Sequence, residues 1–201
     1  MAAAALVLYG VYLALTFGIR VAVQVHRTGS TGVHGLPKDA GSLERLAGAL
    51  FVLALLAGAA APMLTLVDVL DPVPVLDGAV GNTIGLVLAL SGILLTFGAQ
   101  LAMGDAWRIG VDPEERTELV TGGVFGLCRN PIYSFMIVAW AGFALLVPTW
   151  VAAAAGVLLI VGLEIQVRLV EEPHLIRTHG EPYRAWASRV GRFVPGLGRL
   201  R

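Results

Sequence analysis

Two polar clusters, Arg129-Asn130-Pro131-Ile132-Tyr133 and Glu171-Glu172, sit in a chain that is otherwise mostly hydrocarbon. Ionisable groups at the mouth of a membrane bundle are costly to place and default to a functional-site hypothesis. Asn130-Pro131 reads as a turn with Pro131 opening a helix. Arg129 then stands just before a helix N-terminus, an unfavourable place for a cation unless an anion such as a carboxylate occupies the helix mouth. A snorkelling interface anchor is the alternative reading of the same residue. On the acidic side, Glu164, Arg168 and Glu172 are spaced i, i+4, i+8 and share one helix face. Pairing within the helix accounts for Arg168 and one acid. It does not account for three carboxylates (Glu164, Glu171, Glu172) around one arginine, and that surplus invites a cationic ligand.

The elements that must position these groups follow from composition. Of 201 residues, 57% are hydrophobic and 14% charged, and the mean hydropathy is +0.79. A soluble domain carries about 25% charged residues. The expected class is an all-α integral membrane protein forming one bundle over residues 1–201 rather than two domains. A spanning helix needs roughly 20 apolar residues, and about five segments qualify: Ala2 to Val25, Leu46 to Leu70, Val80 to Met103, the short Ile132 to Val147, and Val151 to Val170. The last two form a hairpin around Pro148-Thr149-Trp150. The first segment lacks the basic n-region of a secretory signal and runs too long for one. Arg20 at its far end, together with the other arginines and lysines, falls on one side of the bundle. The loop between Leu70 and Val80 holds only Asp71 and Asp77 as charges. The positive-inside rule therefore predicts an outward N-terminus, a cytoplasmic C-terminus and both polar clusters at the cytoplasmic face.

Between the third and fourth segments, Asp112-Pro113-Glu114-Glu115 resembles a helix start. Thr121-Gly122-Gly123 follows, where glycine permits positive φ and close approach of a ligand to the main chain; a plain turn is the other reading. Pro173 should disturb the helix directly after Glu171-Glu172 and send the chain along the membrane surface. There Leu175, Ile176, Tyr183, Trp186, Val190 and Phe193 suggest an amphipathic segment that lies on the inner leaflet or caps the site. Equal numbers of basic and acidic residues, 14 each, argue against a nucleic-acid partner. The four histidines show no metal-ligand spacing, so no metal is expected. Cys128, the only cysteine, is either a nucleophile with its pKa lowered by Arg129 or a small residue packed near the interface.

Together, Leu119-Val120-Thr121-x-Gly123-Val124-Phe125, Arg129-x-Pro131-x-Tyr133, Glu171-Glu172, and His179-Gly180-Glu181-x-Tyr183 with Arg189-Val190 resemble the isoprenylcysteine carboxyl methyltransferase and phospholipid methyltransferase group. The resemblance runs from about Trp107 to Phe193. It implies an integral membrane methyltransferase that uses S-adenosylmethionine on a lipophilic substrate. By that analogy the cofactor contacts Thr121, Gly123, Val124, Phe125, Asn130, Pro131 and Tyr133, the pair Glu171 and Glu172, and Tyr183. Arg129 and Glu172 would carry catalysis, Arg129 by orienting an anionic group and Glu172, or Glu171, by gripping the cofactor's ammonium or ribose. Residues 1–103 would be a three-helix scaffold and residues 104–201 the cofactor-binding and catalytic region. The group usually has Arg-His-Pro where this chain has Asn130. Asparagine cannot act as an acid or base near neutral pH, which argues against a proton shuttle there.

The expected acceptor is a carboxylate of isoprenoid or prenyl-thioether type, with a lipid amine as the alternative. A non-enzymatic transporter or scaffold is the competing class. A transporter should show internal repeats and helices broken near the midplane, and neither is visible in the sequence.

Overall fold

A computed structural model of the chain describes residues 1–34, 40–74, 76–110 and 118–200. The expected helix start at Asp112–Glu115 lies outside the described residues. Among those described, the chain is all-helical, apart from two isolated backbone bridges. Four helices are long and apolar enough to cross a membrane. These are α1 (Ala2–Thr28), α2 (Ser42–Leu66), α3 (Ala79–Ala102) and α5 (Trp150–His179). Between the last two runs the shorter apolar α4 (Pro131–Leu146), and α6 (Glu181–Ala187) follows α5.

Small residues decide how the bundle closes. A Cβ at Gly92 of α3 would stand 2.4 Å from the Ala139 nitrogen of α4, and one at Gly142 would stand 2.3 Å from the Ala89 nitrogen. The two backbones therefore touch, the packing mode lipid favours when no hydrophobic drive acts between helices. At 16 residues, α4 reaches only about 24 Å, less than the roughly 30 Å of a hydrocarbon core. Its length is tolerable because it is an inner helix: Met136, Ala139, Trp140, Phe143 and Leu146 are all buried. Tyr9 of α1 packs edge-on against Phe143 at 5.3 Å and donates to the Leu55 carbonyl at 2.7 Å, tying α1 to α4 and α2. The outer faces carry Val7, Val52, Leu56, Val87, Leu94 and Val157 exposed. Apolar surface on that scale is what a lipid-facing bundle presents.

Helix ends obey local chemistry. Gly29 at φ 75 closes α1, Pro131 opens α4, and the Thr149 hydroxyl accepts from the Ala152 amide at the start of α5. Two expectations are corrected. The last long helix does not stop near Val170 but continues to His179. Pro173 does not redirect the chain, because a π-turn over Gln166–Glu171 just before it widens the helix, and such a turn accommodates a missing i→i−4 bond. The change of direction comes instead at Gly180, with φ 57. Arg20 is fully buried between α1 and α3, directly after a second π-turn, Ala14–Ile19.

Candidate active site at the mouth of the α4–α5 hairpin

Arg129 and Asn130 precede the first turn of α4, so their amides must find partners outside the helix. They find them in the C-terminal tail. The Arg129 amide donates to the Gly191 carbonyl at 2.8 Å and the Asn130 amide to the Arg192 carbonyl at 3.0 Å. The Asn130 side-chain amide donates to the same Arg192 carbonyl at 3.1 Å, and the Ser134 hydroxyl to Phe193 at 2.6 Å. The tail after α6 is thus strapped across the N-terminus of α4. Of the two readings of the tail, this geometry is the capping one.

At the centre lies a buried ionic clasp. Arg129 donates from Nη2 to Glu172 Oε1 at 2.6 Å and to the Gly198 carbonyl at 3.0 Å. Its Nη1 serves the carbonyls of Ala187 and Val190. Arg192 donates to both oxygens of Glu172 at 2.8 and 2.9 Å. The hydrogen bonds to Glu172 raise the Arg192 pKa against its partial desolvation. The anion expected at the helix mouth is therefore the chain's own Glu172. The helical face expected to hold Glu164, Arg168 and Glu172 together is broken by the π-turn, which shifts the register by one residue, about 100°. Arg168 pairs outward with Glu164, while Glu172 turns in and is 6% exposed.

The neighbouring carboxylate is held differently. Glu171 accepts from the Tyr133 hydroxyl at 2.6 Å and from Gln166 at 3.4 Å. Beside this pair, Phe125, Tyr183, Trp186 and Ala187 form a second small core, with Val120, Val124 and Ile132 packed against it. Tyr183 and Trp186 meet at 5.7 Å, and the Trp186 indole nitrogen is buried without a partner. Burial, then the Glu172 charge, pushes the Tyr183 phenol up to about 12. Thr121 and Gly123 lie exposed at the rim, and Gly123 has φ 58 as it starts a 3-10 turn, a conformation that favours glycine.

Of the residues singled out in the sequence, Phe125, Arg129, Asn130, Pro131, Tyr133, Glu171, Glu172 and Tyr183 converge on this one region, with Thr121, Gly123 and Val124 at its edge. The nucleophilic reading of Cys128 is corrected: its thiol is buried, 3.8 Å from the Ser134 hydroxyl, and burial raises its pKa. The sequence reading missed Arg192, Ser134 and Gln166. Arg192 had a faint signal in Arg189-Val190-Gly191-Arg192, but the arginine that engages the clasp is the second, while Arg189 bonds within its own helix end. An apolar crevice lined by Tyr9, Gly58, Pro62, Trp140 and Phe143 lies toward the opposite end of α4 and is not part of this site.

The phospholipid methyltransferase family matches residues 80–182, about half of the chain and the stretch that holds Arg108, Tyr133, Glu171 and Glu172. The chain belongs to that family. In fold this phospholipid methyltransferase family member is similar to a eukaryotic intramembrane Ras methyltransferase, isoprenylcysteine carboxyl methyltransferase, solved without a monobody. The two are 19% identical with a TM-score of 0.61, over 96% of this chain and 68% of that one. None of the curated proteins matches. The chain is thus an integral membrane methyltransferase. Its strap residues Gly191 and Arg192 lie beyond the family match, so the clasp on Glu172 joins the matched region to a tail outside it.

Proposed function

We propose that this methyltransferase uses S-adenosylmethionine and methylates a carboxylate on a lipophilic substrate at the cytoplasmic mouth of the α4–α5 hairpin. The observation that carries the reading is the Tyr133–Glu171 pair beside an aromatic floor at that mouth, in a chain of this family. The fit to the cofactor rests on Glu171, whose carboxylate accepts from Tyr133 and Gln166 and suits an ammonium or sulfonium. It also rests on the buried, partnerless indole N–H of Trp186, a donor to a nucleoside. When bound, the cofactor supplies an activated methyl group on a cationic sulfur. The remaining work belongs to the chain. Tyr133 and Gln166 hold Glu171 in one orientation. The apolar floor of Phe125, Tyr183 and Trp186 excludes water. Thr121, Gly123 and Val124 form the rim. Arg129, Glu172 and Arg192 hold the tail closed over the site and act as positioning residues. Catalysis of this kind rests on alignment and desolvation of the acceptor.

The choice of a carboxylate rests on Asn130. Asn130 stands at the position where a base would be useful, and its amide is spent on the Arg192 carbonyl. A carboxylate attacks as the anion and needs no base, whereas an ammonium must first lose a proton. The family's own description favours the second reading, N-methylation of a phospholipid amine. We also propose five membrane crossings, counting α4, with the N-terminus outside and the C-terminus cytoplasmic, and with residues 1–103 as a supporting unit for 104–201.

Calorimetry in detergent with S-adenosylmethionine tests the cofactor; no binding by the wild-type protein would sink the enzyme reading. Transfer of labelled methyl into a total lipid extract then separates the acceptors. Label released by mild alkali is an ester; label that stays is on nitrogen and overturns the carboxylate assignment.

A further inference from the structure

The strap that closes the hairpin mouth ends in a tight loop that the clasp does not use. At Val194-Pro195-Gly196-Leu197 the chain turns back on itself. The Leu197 amide donates to the Val194 carbonyl at 3.1 Å, and Gly196 stands at φ 77. Proline at the second position and a left-handed glycine at the third make this a type II turn. Both sides of the loop are pinned. The Arg192 amide donates to Leu197 at 2.7 Å and the Leu200 amide to Ala187 at 2.9 Å, while the Gly198 carbonyl accepts from Arg129 at 3.0 Å. A Cβ at Gly191 would strike the Val194 and Leu197 carbonyls, so the loop closes only around a glycine there.

Exposed turns ordinarily carry polar residues, but both corners of this one are apolar. Val194 is 51% exposed and Leu197 65%. Leu127, also exposed, stands one residue before the bridge that pairs Cys128 with Gly191. These are not the residues that dock the tail, which are Tyr183 and Trp186 with Val190 and Leu200 packed against them. The surrounding charge is all of one sign. No acidic residue follows Glu181, and Arg184, Arg189 and Arg199 are exposed. A terminal nitrogen of Arg199 lies 3.5 Å from where a Cβ on Gly196 would stand. Neither Arg184 nor Arg199 has an ion-pair partner among the described residues. Two or three side chains cannot bury the roughly 1,000 Å² that a specific protein interface clears. A leaflet demands no such area, because each apolar side chain that enters it and each guanidinium on a headgroup adds its own increment. The strap lies across the N-terminus of the membrane helix α4, so the loop is already held at the bilayer edge.

We propose that the 194–197 turn is an interfacial anchor seated in the leaflet on the side of the hairpin mouth, with Arg184 and Arg199 on the phosphates of anionic lipids around it. Seating holds the strap, and with it the clasp on Glu172, closed over the site. Full-length protein in nanodiscs of phosphatidylcholine, with or without phosphatidylglycerol, tests this. An NBD fluorophore on Leu197→Cys, in the Cys128→Ser background, should be quenched by doxyl-labelled lipid more strongly in the anionic discs. High salt should relieve that quenching. Arg184→Gln and Arg199→Gln should each lower the ratio of seated to free label roughly five-fold, the worth of one cation at such a surface. In the unlabelled wild type, amides of residues 187–200 should exchange hydrogen more slowly in anionic discs than in neutral ones. Equal quenching in the two discs removes the anionic partner and overturns the proposal. So does a label that lipid never quenches, whether it is open to aqueous iodide or shielded by a protein contact. Equal wild-type exchange in the two discs overturns the claim that seating holds the strap closed.

Discussion

Glu172 is shared by two guanidiniums in a buried setting, and that arrangement makes the clasp asymmetric in its sensitivity. Removing the shared carboxylate leaves two cations without their anion, and breaking a buried pair costs about 3–5 kcal/mol. Glu172→Gln should therefore lower thermal stability in detergent by an amount in that range, read by a melting curve. Arg192→Gln should cost less, because Arg129 still neutralises the acid. Equal losses for the two variants would contradict the shared-acid geometry. Cys128 gives a second expectation at this scale. Because burial raises its pKa, the thiol should alkylate with iodoacetamide far more slowly than a free cysteine at pH 8. The two rates should converge only on denaturation.

At the scale of elements, two features hold the site in place: the backbone contact of α3 with α4 and the docking of α6 beneath the strap. Gly92 and Gly98 lie on the same helix, yet a Cβ at Gly92 meets the Ala139 backbone while one at Gly98 meets nothing within 4 Å. Gly92→Ala should destabilise by about 1–3 kcal/mol through overpacking, and Gly98→Ala should be neutral or better on helix propensity. Paired melting curves check the contrast. The docking of α6 should be alkali-sensitive. Tyr183 has a folded pKa of about 12, above the ordinary 10.0. A raised folded pKa contributes stability that is complete below the unfolded value and is lost as pH rises through the folded one. The tail should therefore loosen between about pH 10 and 12. Trp186 fluorescence should follow the change, and Tyr183→Phe should remove its pH dependence.

Taken as a whole molecule, the protein joins a family-typical core to a tail that closes it from one face. The proposed topology makes that face cytoplasmic. A cysteine introduced at Asp71, in the loop without basic residues, should react with an impermeant maleimide from outside intact cells. One at exposed Arg189 should react only after lysis, once Cys128 is replaced by Ser. The reverse pattern would place the site on the outer face and overturn the orientation.

The sequence by itself determined the membrane class, four of the long apolar segments to within a few residues at most ends, and the meeting of two polar clusters at one mouth. Those facts depend on hydropathy and on the length a bilayer demands, both of which are local properties of the chain. Glu171-Glu172 read as a surplus of negative charge because Arg192, twenty residues on, could not be seen to return. Only the tertiary structure decided that Arg129 serves Glu172 and the tail carbonyls, that a π-turn splits Glu172 from Glu164 and Arg168, and that Arg20 lies sealed beneath Trp107. Each of these depends on which backbone carbonyls and charges become neighbours after packing, and no spacing within one helix encodes that.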